Sequence, residues 1–307
     1  MLIFGVNVPY RSSFTRGPYI VPVSNPIDFR VQPPWRMTND EPESEGTKGL
    51  GNYERLYGKD YKRGHSFTEL TNDLRRLGMR AVVQSEPVSG TVRDWNDQVN
   101  RVMAKDPKLF PAGFCCADPR DVMAGVREID RCRHELNLRG LTLMPDFYNM
   151  DLADRRCYPL IAKAVELGMP VGLHVGVNFT SSSPIRHGHP QHVDEIACHF
   201  PEAIVICNHG GWPWAAEMVA VAWKHKNVYL EFGAIAPKYL GAPDGGWQPM
   251  RQFMNTQLQD RILFGSDWPM MNHVRLMSEL DMLQLKDTVM EKYLRGNAEA
   301  LLDRMMS

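Results

Sequence analysis

Eight short apolar runs constrain this chain more than any other feature. They begin at Ile27, Arg80, Pro111, Gly140, Pro170, Ala203, Asn227 and Arg261, with a repeat of roughly 25–35 residues after a long first gap. Helical patterns fill the intervals, among them 67–77, 121–135, 152–167, 192–199 and 214–225, and two more follow the last run at 275–285 and 287–304. Strand alternating with helix at this spacing is the pattern of parallel βαβ units. Eight such units in 307 residues predict a closed (β/α)8 barrel, a TIM barrel, as a single α/β domain rather than an open sheet.

The barrel is expected to span 27–307, preceded by an irregular N-terminal arm at 1–26 that is rich in Pro, Ser and aromatics. That arm would cover the barrel bottom or a neighbouring subunit, which favours a homo-oligomer, a dimer or larger. Residues 35–65 are polar and weakly periodic, and a loop of that length inside a compact domain reads as a lid. A net charge of -1 argues against a dedicated nucleic-acid binder. No apolar run approaches the roughly 20 residues a membrane span needs. Met1 to Ile20 lacks a basic segment ahead of an apolar core, so no signal peptide is expected. Six cysteines without a regular framework read as reduced thiols of a cytoplasmic protein.

In a barrel of this kind the reacting groups stand at the C-terminal ends of the strands. Read in order, those ends offer Arg30 and Gln32, Gln84 and Glu86, Cys116 and Asp118, Met144 and Asp146, His174, His209, Glu231 and Asp267. Nearly every strand delivers a polar residue where chemistry would be done. The most pointed segment is Arg261-Ile262-Leu263-Phe264-Gly265-Ser266-Asp267-Trp268-Pro269, where an apolar run rises to Gly-Ser, presents one carboxylate and stops at proline. Leu173-His174 and Asn208-His209-Gly210-Gly211 end their strands on histidine in the same manner.

These residues, together with Ile27-Asp28, Gly113 to Asp118-Pro119, Arg139-Gly140, Phe200-Pro201-Glu202 and Gly296-Asn297-Ala298, resemble the amidohydrolase-related superfamily. The nearest branch holds the aminocarboxymuconate-semialdehyde-decarboxylase-like enzymes and several lactonases. The resemblance implies a metal-centred rim with His-x-His on strand one, His on strands five and six, and Asp on strand eight. His174, His209 and Asp267 fall on the last three roles as catalytic residues, and as ligands of any divalent metal, zinc or manganese. The first strand departs from the pattern, because Arg30-Val31-Gln32 stands where His-x-His is expected. Arginine has no lone pair to donate, and a glutamine carbonyl is a poor ligand for zinc. Metal binding is therefore left open, with no cofactor as the other reading.

Arg30 has two readings of its own: a structural salt bridge with Asp28 or Asp267, or a fixed positive charge where the metal would stand. A guanidinium in that place can bind a substrate carboxylate or stabilise an oxyanion. Gln32, Arg186, Trp212 and Trp268 complete the expected substrate contacts. The histidines of Arg186-His187-Gly188-His189-Pro190-Gln191-His192 read as part of a mobile loop at the mouth or, less specifically, as metal ligands. Glu231 reads either as the orienter of a histidine or as packing. The expected function is hydrolysis of a small carboxylated or cyclic substrate, a lactone or an amide, with Asp267 as general base. A non-oxidative decarboxylase on the same site is the alternative, and a non-catalytic binding protein on this scaffold is the second alternative.

Overall fold

The eight apolar runs become eight parallel strands in the computed structural model, which describes residues 23–34, 37–38, 65–85, 90–179 and 182–306. The strands are β1 (Ile27–Val31), β2 (Arg80–Gln84), β3 (Ala112–Cys116), β4 (Gly140–Leu143), β5 (Val171–His174), β6 (Val205–Asn208), β7 (Val228–Glu231) and β8 (Ile262–Leu263). Each pairs with the next in sequence order. The ring closes between β1 and the segment after β8. Phe29 N donates to Phe264 O at 2.8 Å, Asp267 N to Arg30 O at 2.9 Å and Gln32 N to Trp268 O at 2.8 Å. This is the single-domain (β/α)8 barrel that the spacing predicts. The arm and the lid expected at 1–26 and 35–65 lie almost wholly outside the described residues, as does Glu86.

The helices form the outer layer: α1 (Phe67–Leu77), α2 (Val92–Lys105), α3 (Val122–His134), α4 (Tyr158–Glu166), α5 (Pro190–His199), α6 (Ala215–Lys224), α7 (Pro237–Leu240), α8 (Gln248–Met254), α9 (His273–Ser278), α10 (Asp287–Glu291) and α11 (Asn297–Met306). Two of them start on reciprocal caps. Ser66 and Glu69 bond each other's backbone N–H groups at α1, and Thr91 and Asp94 do so at α2. α4 begins later than the periodicity suggests, with Pro159 in its first turn, because Leu152 to Cys157 form turns. The pattern over 275–285 divides into α9 and a 3-10 turn at Leu280–Leu283, and a π-turn at Lys292–Gly296 separates α10 from α11.

Two apolar layers hold the barrel. The larger lies between strands and helices. The smaller fills the interior, where Ile27, Phe29, Val82, Phe114, Ile206 and Leu263 pack against Leu301, Leu302 and Met305 of α11. α11 thus plugs the N-terminal end of the barrel, and the polar strand ends are left at the other. Asn297 ties this plug to β8 through bonds from Nδ2 to the carbonyls of Ile262 at 2.8 Å and Gln259 at 2.9 Å. All six cysteines are free thiols, five of them buried. Among the described residues no helix is long and apolar enough to cross a membrane.

Candidate active site

The site begins with an irregularity in β1. Pairing with β2 matches Ile27 to Arg80 and Asp28 to Ala81, then resumes at Val31 with Val83, so the register slips across Phe29 and Arg30. A bulge of this kind re-aims a side chain. The Asp28 carboxylate stabilises it by accepting Arg30 N at 2.9 Å. The Arg30 side chain is thereby buried, 1% exposed.

Its guanidinium bonds the side chains of Asp267 and Gln84. Nε donates to Asp267 Oδ1 at 3.0 Å, and Nη1 donates to Gln84 Oε1 at 2.9 Å. Gln84 is fixed in turn, donating from Nε2 to Phe29 O at 2.7 Å. Gln32 Nε2 reaches the same Asp267 oxygen at 3.2 Å. The salt bridge read for Arg30 is therefore made to Asp267, while Asp28 takes only its backbone N–H. Burial pushes the Asp267 carboxyl up, and Arg30 and Gln32 pull against that shift.

The opposite side of the rim is built from histidines. His174 Nδ1 lies 2.7 Å from Asp146 Oδ2, an ion-pair contact rather than an aligned hydrogen bond. Asn178 Nδ2 donates to the same Asp146 oxygen at 3.0 Å. His209 packs edge-on against His174, their ring centroids 4.7 Å apart, and its Nδ1 lies 2.8 Å from the carbonyl of Gly233. A carbonyl only accepts, so that bond places the proton on Nδ1 and the lone pair on Nε2. Burial drives the His209 pKa well below its ordinary value, and the nearby His174 and Arg30 add to the effect, so the ring is neutral. Glu231 is raised to about 8, chiefly by burial.

Backbone strain marks the same places. His209 holds φ +65° and Asp267 φ +56°. A left-handed conformation in a residue with a Cβ costs on the order of 1 kcal/mol or more and persists where the surroundings over-determine it, often at functional sites.

The other residues singled out in the sequence are placed less centrally. Trp268 is buried beside His65, with centroids 5.3 Å apart, and Trp212 stacks on Trp247 at 5.2 Å. Arg186 is exposed on a 3-10 turn at Ile185–Gly188, in the loop after β5. The histidines of that loop serve its shape. His187 Nδ1 is 2.5 Å from Asp151 Oδ1, His192 Nε2 is 3.5 Å from the same oxygen, and His189 accepts from Gln191 N at 3.1 Å. These contacts pin the segment, and among the described residues its histidines form no three-residue ligand cluster. Asp146 and Gln84 stand in the row of strand ends, but nothing in the sequence marks them as the partners of His174 and Arg30.

The first-strand positions do not suit a metal ion. The two first-strand positions are a guanidinium and an amide, and both donate hydrogen bonds to Asp267 Oδ1. Among the described residues, the three-residue set whose ligand atoms lie within 4.8 Å of one another is Asp194, Cys198 and His225, not His174, His209 and Asp267. That outer set already holds the Lys224 ammonium, 2.7 Å from Asp194 Oδ1.

A closed parallel barrel with a buried carboxyl, paired histidines and strained backbone at one rim is the kind of scaffold on which barrel enzymes place their sites. The chain belongs to the Amidohydrolase family, which matches residues 27–304. A 2-keto-4-carboxy-3-hexenedioate hydratase from a Sphingobium species is 31% identical over 38% of this chain, and the match covers 40% of the hydratase. A gamma-resorcylate decarboxylase from a Polaromonas species is 22% identical over 77% of this chain and 83% of its own. An uncharacterized TIM-barrel protein from Bordetella bronchiseptica superposes with a TM-score of 0.74 at 27% identity, covering 92% of this chain and 100% of that one. A 5-carboxyvanillate decarboxylase from Novosphingobium aromaticivorans, solved with manganese, superposes at 0.66 with 15% identity, covering 92% and 97% of the two chains. The last likeness is one of fold. The relatives matched by sequence include a hydratase and a decarboxylase.

Proposed function

We propose that this chain hydrolyses a small carboxylated substrate with a cyclic ester or amide bond, and that Arg30 supplies the fixed positive charge at the centre of the site. The observation that carries this reading is the Arg30–Asp267 bond of 3.0 Å, reinforced by Gln32 on the same oxygen. Both donors engage Oδ1, so Oδ2 is the atom of Asp267 assigned to proton transfer. A buried carboxyl with a raised pKa is a stronger base than an exposed one, which suits removal of a proton from water near neutral pH.

In this reading Asp267 Oδ2 takes one proton from water as the oxygen attacks the carbonyl carbon. The oxygen that gains charge is stabilised by Arg30 and by a hydrogen bond from His174, which Asp146 holds in place at 2.7 Å. Collapse breaks the bond to the leaving oxygen or nitrogen, and Asp267 returns the proton to it. His209, neutral with its lone pair on Nε2, accepts a hydrogen bond from the attacking water or from a substrate hydroxyl. The substrates that name these relatives, 2-keto-4-carboxy-3-hexenedioate and gamma-resorcylate, are carboxylated small molecules, which supports an anionic substrate here.

A decarboxylase reading draws on the same relatives, since one spanning 77% of this chain is a decarboxylase. A substrate screen separates the two. Dialysed protein, with and without a chelator, is offered carboxylated lactones and hydroxybenzoates, and ring opening and CO2 release are both followed. Opening of a lactone, unaffected by chelator, is expected. CO2 release without any ring opening would replace the hydrolase reading, and activity that returns only with added zinc or manganese would overturn the role given to Arg30.

A further inference from the structure

Glu231 ends β7 in a place that the proposed reaction does not use. It is fully buried, and Oε1 accepts the backbone N–H of Gly233. Gly233 O in turn accepts the Nδ1 proton of His209 at 2.8 Å. One carboxyl therefore fixes one side of Gly233, and the other side fixes a histidine of the rim. The carboxyl has room only because two glycines face it: a Cβ at Gly233 would stand 2.7 Å from Oε1, and one at Gly265 only 1.7 Å from it. The next residue, Ala234, is held at φ +60° and bonds Ser266 O at 3.3 Å, so the turn is tied to the β8 loop as well.

We propose that Glu231 is a positioning residue that acts through the Gly233 backbone, holding His209 in the tautomer with its proton on Nδ1 and its lone pair on Nε2 toward the substrate. The charge balance agrees with this placement. With its pKa at about 8, Glu231 is mostly protonated near neutral pH and does not compete with Asp267 for Arg30. A glutamate kept neutral in this way avoids the larger desolvation cost of a buried charge, and its oxygen can still accept the Gly233 bond. The proposal rests on the reading that His209 works from Nε2. Its test needs no turnover, so the two can fail separately.

The test is the tautomer itself, read from long-range 1H–15N spectra of the full chain labelled at histidine, with His209 assigned from the signals lost in His209→Asn. The unmodified protein is expected to show a protonated Nδ1 and an unprotonated Nε2. Glu231→Met keeps the chain length and removes the oxygen, and should give a mixture of tautomers in a folded protein. Glu231→Gln keeps an acceptor for Gly233 N–H and should restore the original pattern. A proton on Nε2 in the unmodified protein overturns the proposal, as does an unchanged Nδ1 proton in folded Glu231→Met. If Glu231→Met fails to fold, Glu231→Asp withdraws the carboxyl by one methylene and is read by the same two outcomes.

Discussion

Asp28 and Asp267 are buried aspartates on neighbouring strands, one clamped on both oxygens and the other on one. Asp28 Oδ1 accepts Arg30 N at 2.9 Å and Ser266 N at 3.0 Å, and Oδ2 accepts Ser266 Oγ and, at 2.8 Å, His273 Nε2. Asp267 receives both of its donors, Arg30 and Gln32, on Oδ1, and its backbone is held at φ +56°. A carboxylate offers about four lone-pair sites. Asp28 has its sites filled by β1, the segment after β8 and α9, which makes it a clip across the β1–β8 seam. Asp267 is held in place but keeps an oxygen for other work. The difference separates a structural carboxylate from the one proposed as the base, although both are buried and both are paired.

Replacing the proposed base should give the largest effect. Asp267→Asn keeps the shape and removes the base, so turnover on any substrate found is expected to fall about 10²- to 10⁴-fold, the usual share of a general base. Circular dichroism should still report the folded barrel, while the melting temperature should fall, because Arg30 is left buried beside a neutral amide. Full activity in that variant would remove the distinction drawn between the two aspartates.

Arg30→Met tests the partner. It leaves the Asp267 carboxylate in the barrel without its cation, and breaking a buried pair in this way costs about 3–5 kcal/mol. Denaturant unfolding measures that loss. A change within 1 kcal/mol of zero would show that Asp267 had been neutral in the folded chain.

His273→Leu tests the clip. Burial opposes a charge on His273, but Asp28 and Asp73 more than reverse this and raise its pKa from 6.5 to about 9. The folded protein therefore holds the proton more tightly than the unfolded chain. The resulting stability is fully present below pH 6.5 and is lost as the pH rises through 9. The shift corresponds to on the order of 3 kcal/mol. Unfolding free energies measured from pH 6 to 10 should decline in the unmodified protein and flatten across that window in the variant. An equal decline in both would assign the pH dependence to other groups.

The fold was legible because strand-and-helix alternation is a local signal repeated eight times, and each repeat supports the same architecture. The strand ends were legible for a related reason: once the barrel is fixed, the residue where an apolar run stops must face one rim. His174, His209 and Asp267 follow from that alone, although their roles are proposed rather than read. The partnerships were not legible. Asp146 meets His174 from 28 positions away, and Gln84 meets Arg30 across 54. The loop histidines read first as part of a mobile loop at the mouth and only weakly as ligands, because side-chain type is visible in a sequence and its partner is not. Asp151 claims two of them.

The sequence by itself determined the eight-unit barrel and which residues crown it, and it placed an arginine and a glutamine where ligands were expected. Only the tertiary structure decided what that arginine does. A slip of register in β1, held by Asp28, turns the Arg30 side chain into the barrel. Closure of β1 against the β8 segment then brings Asp267 within bonding distance, although the two residues are 237 positions apart. The physical reason is that periodicity is written residue by residue along the chain. A bulge and a buried ion pair exist only when several strands constrain one another at once.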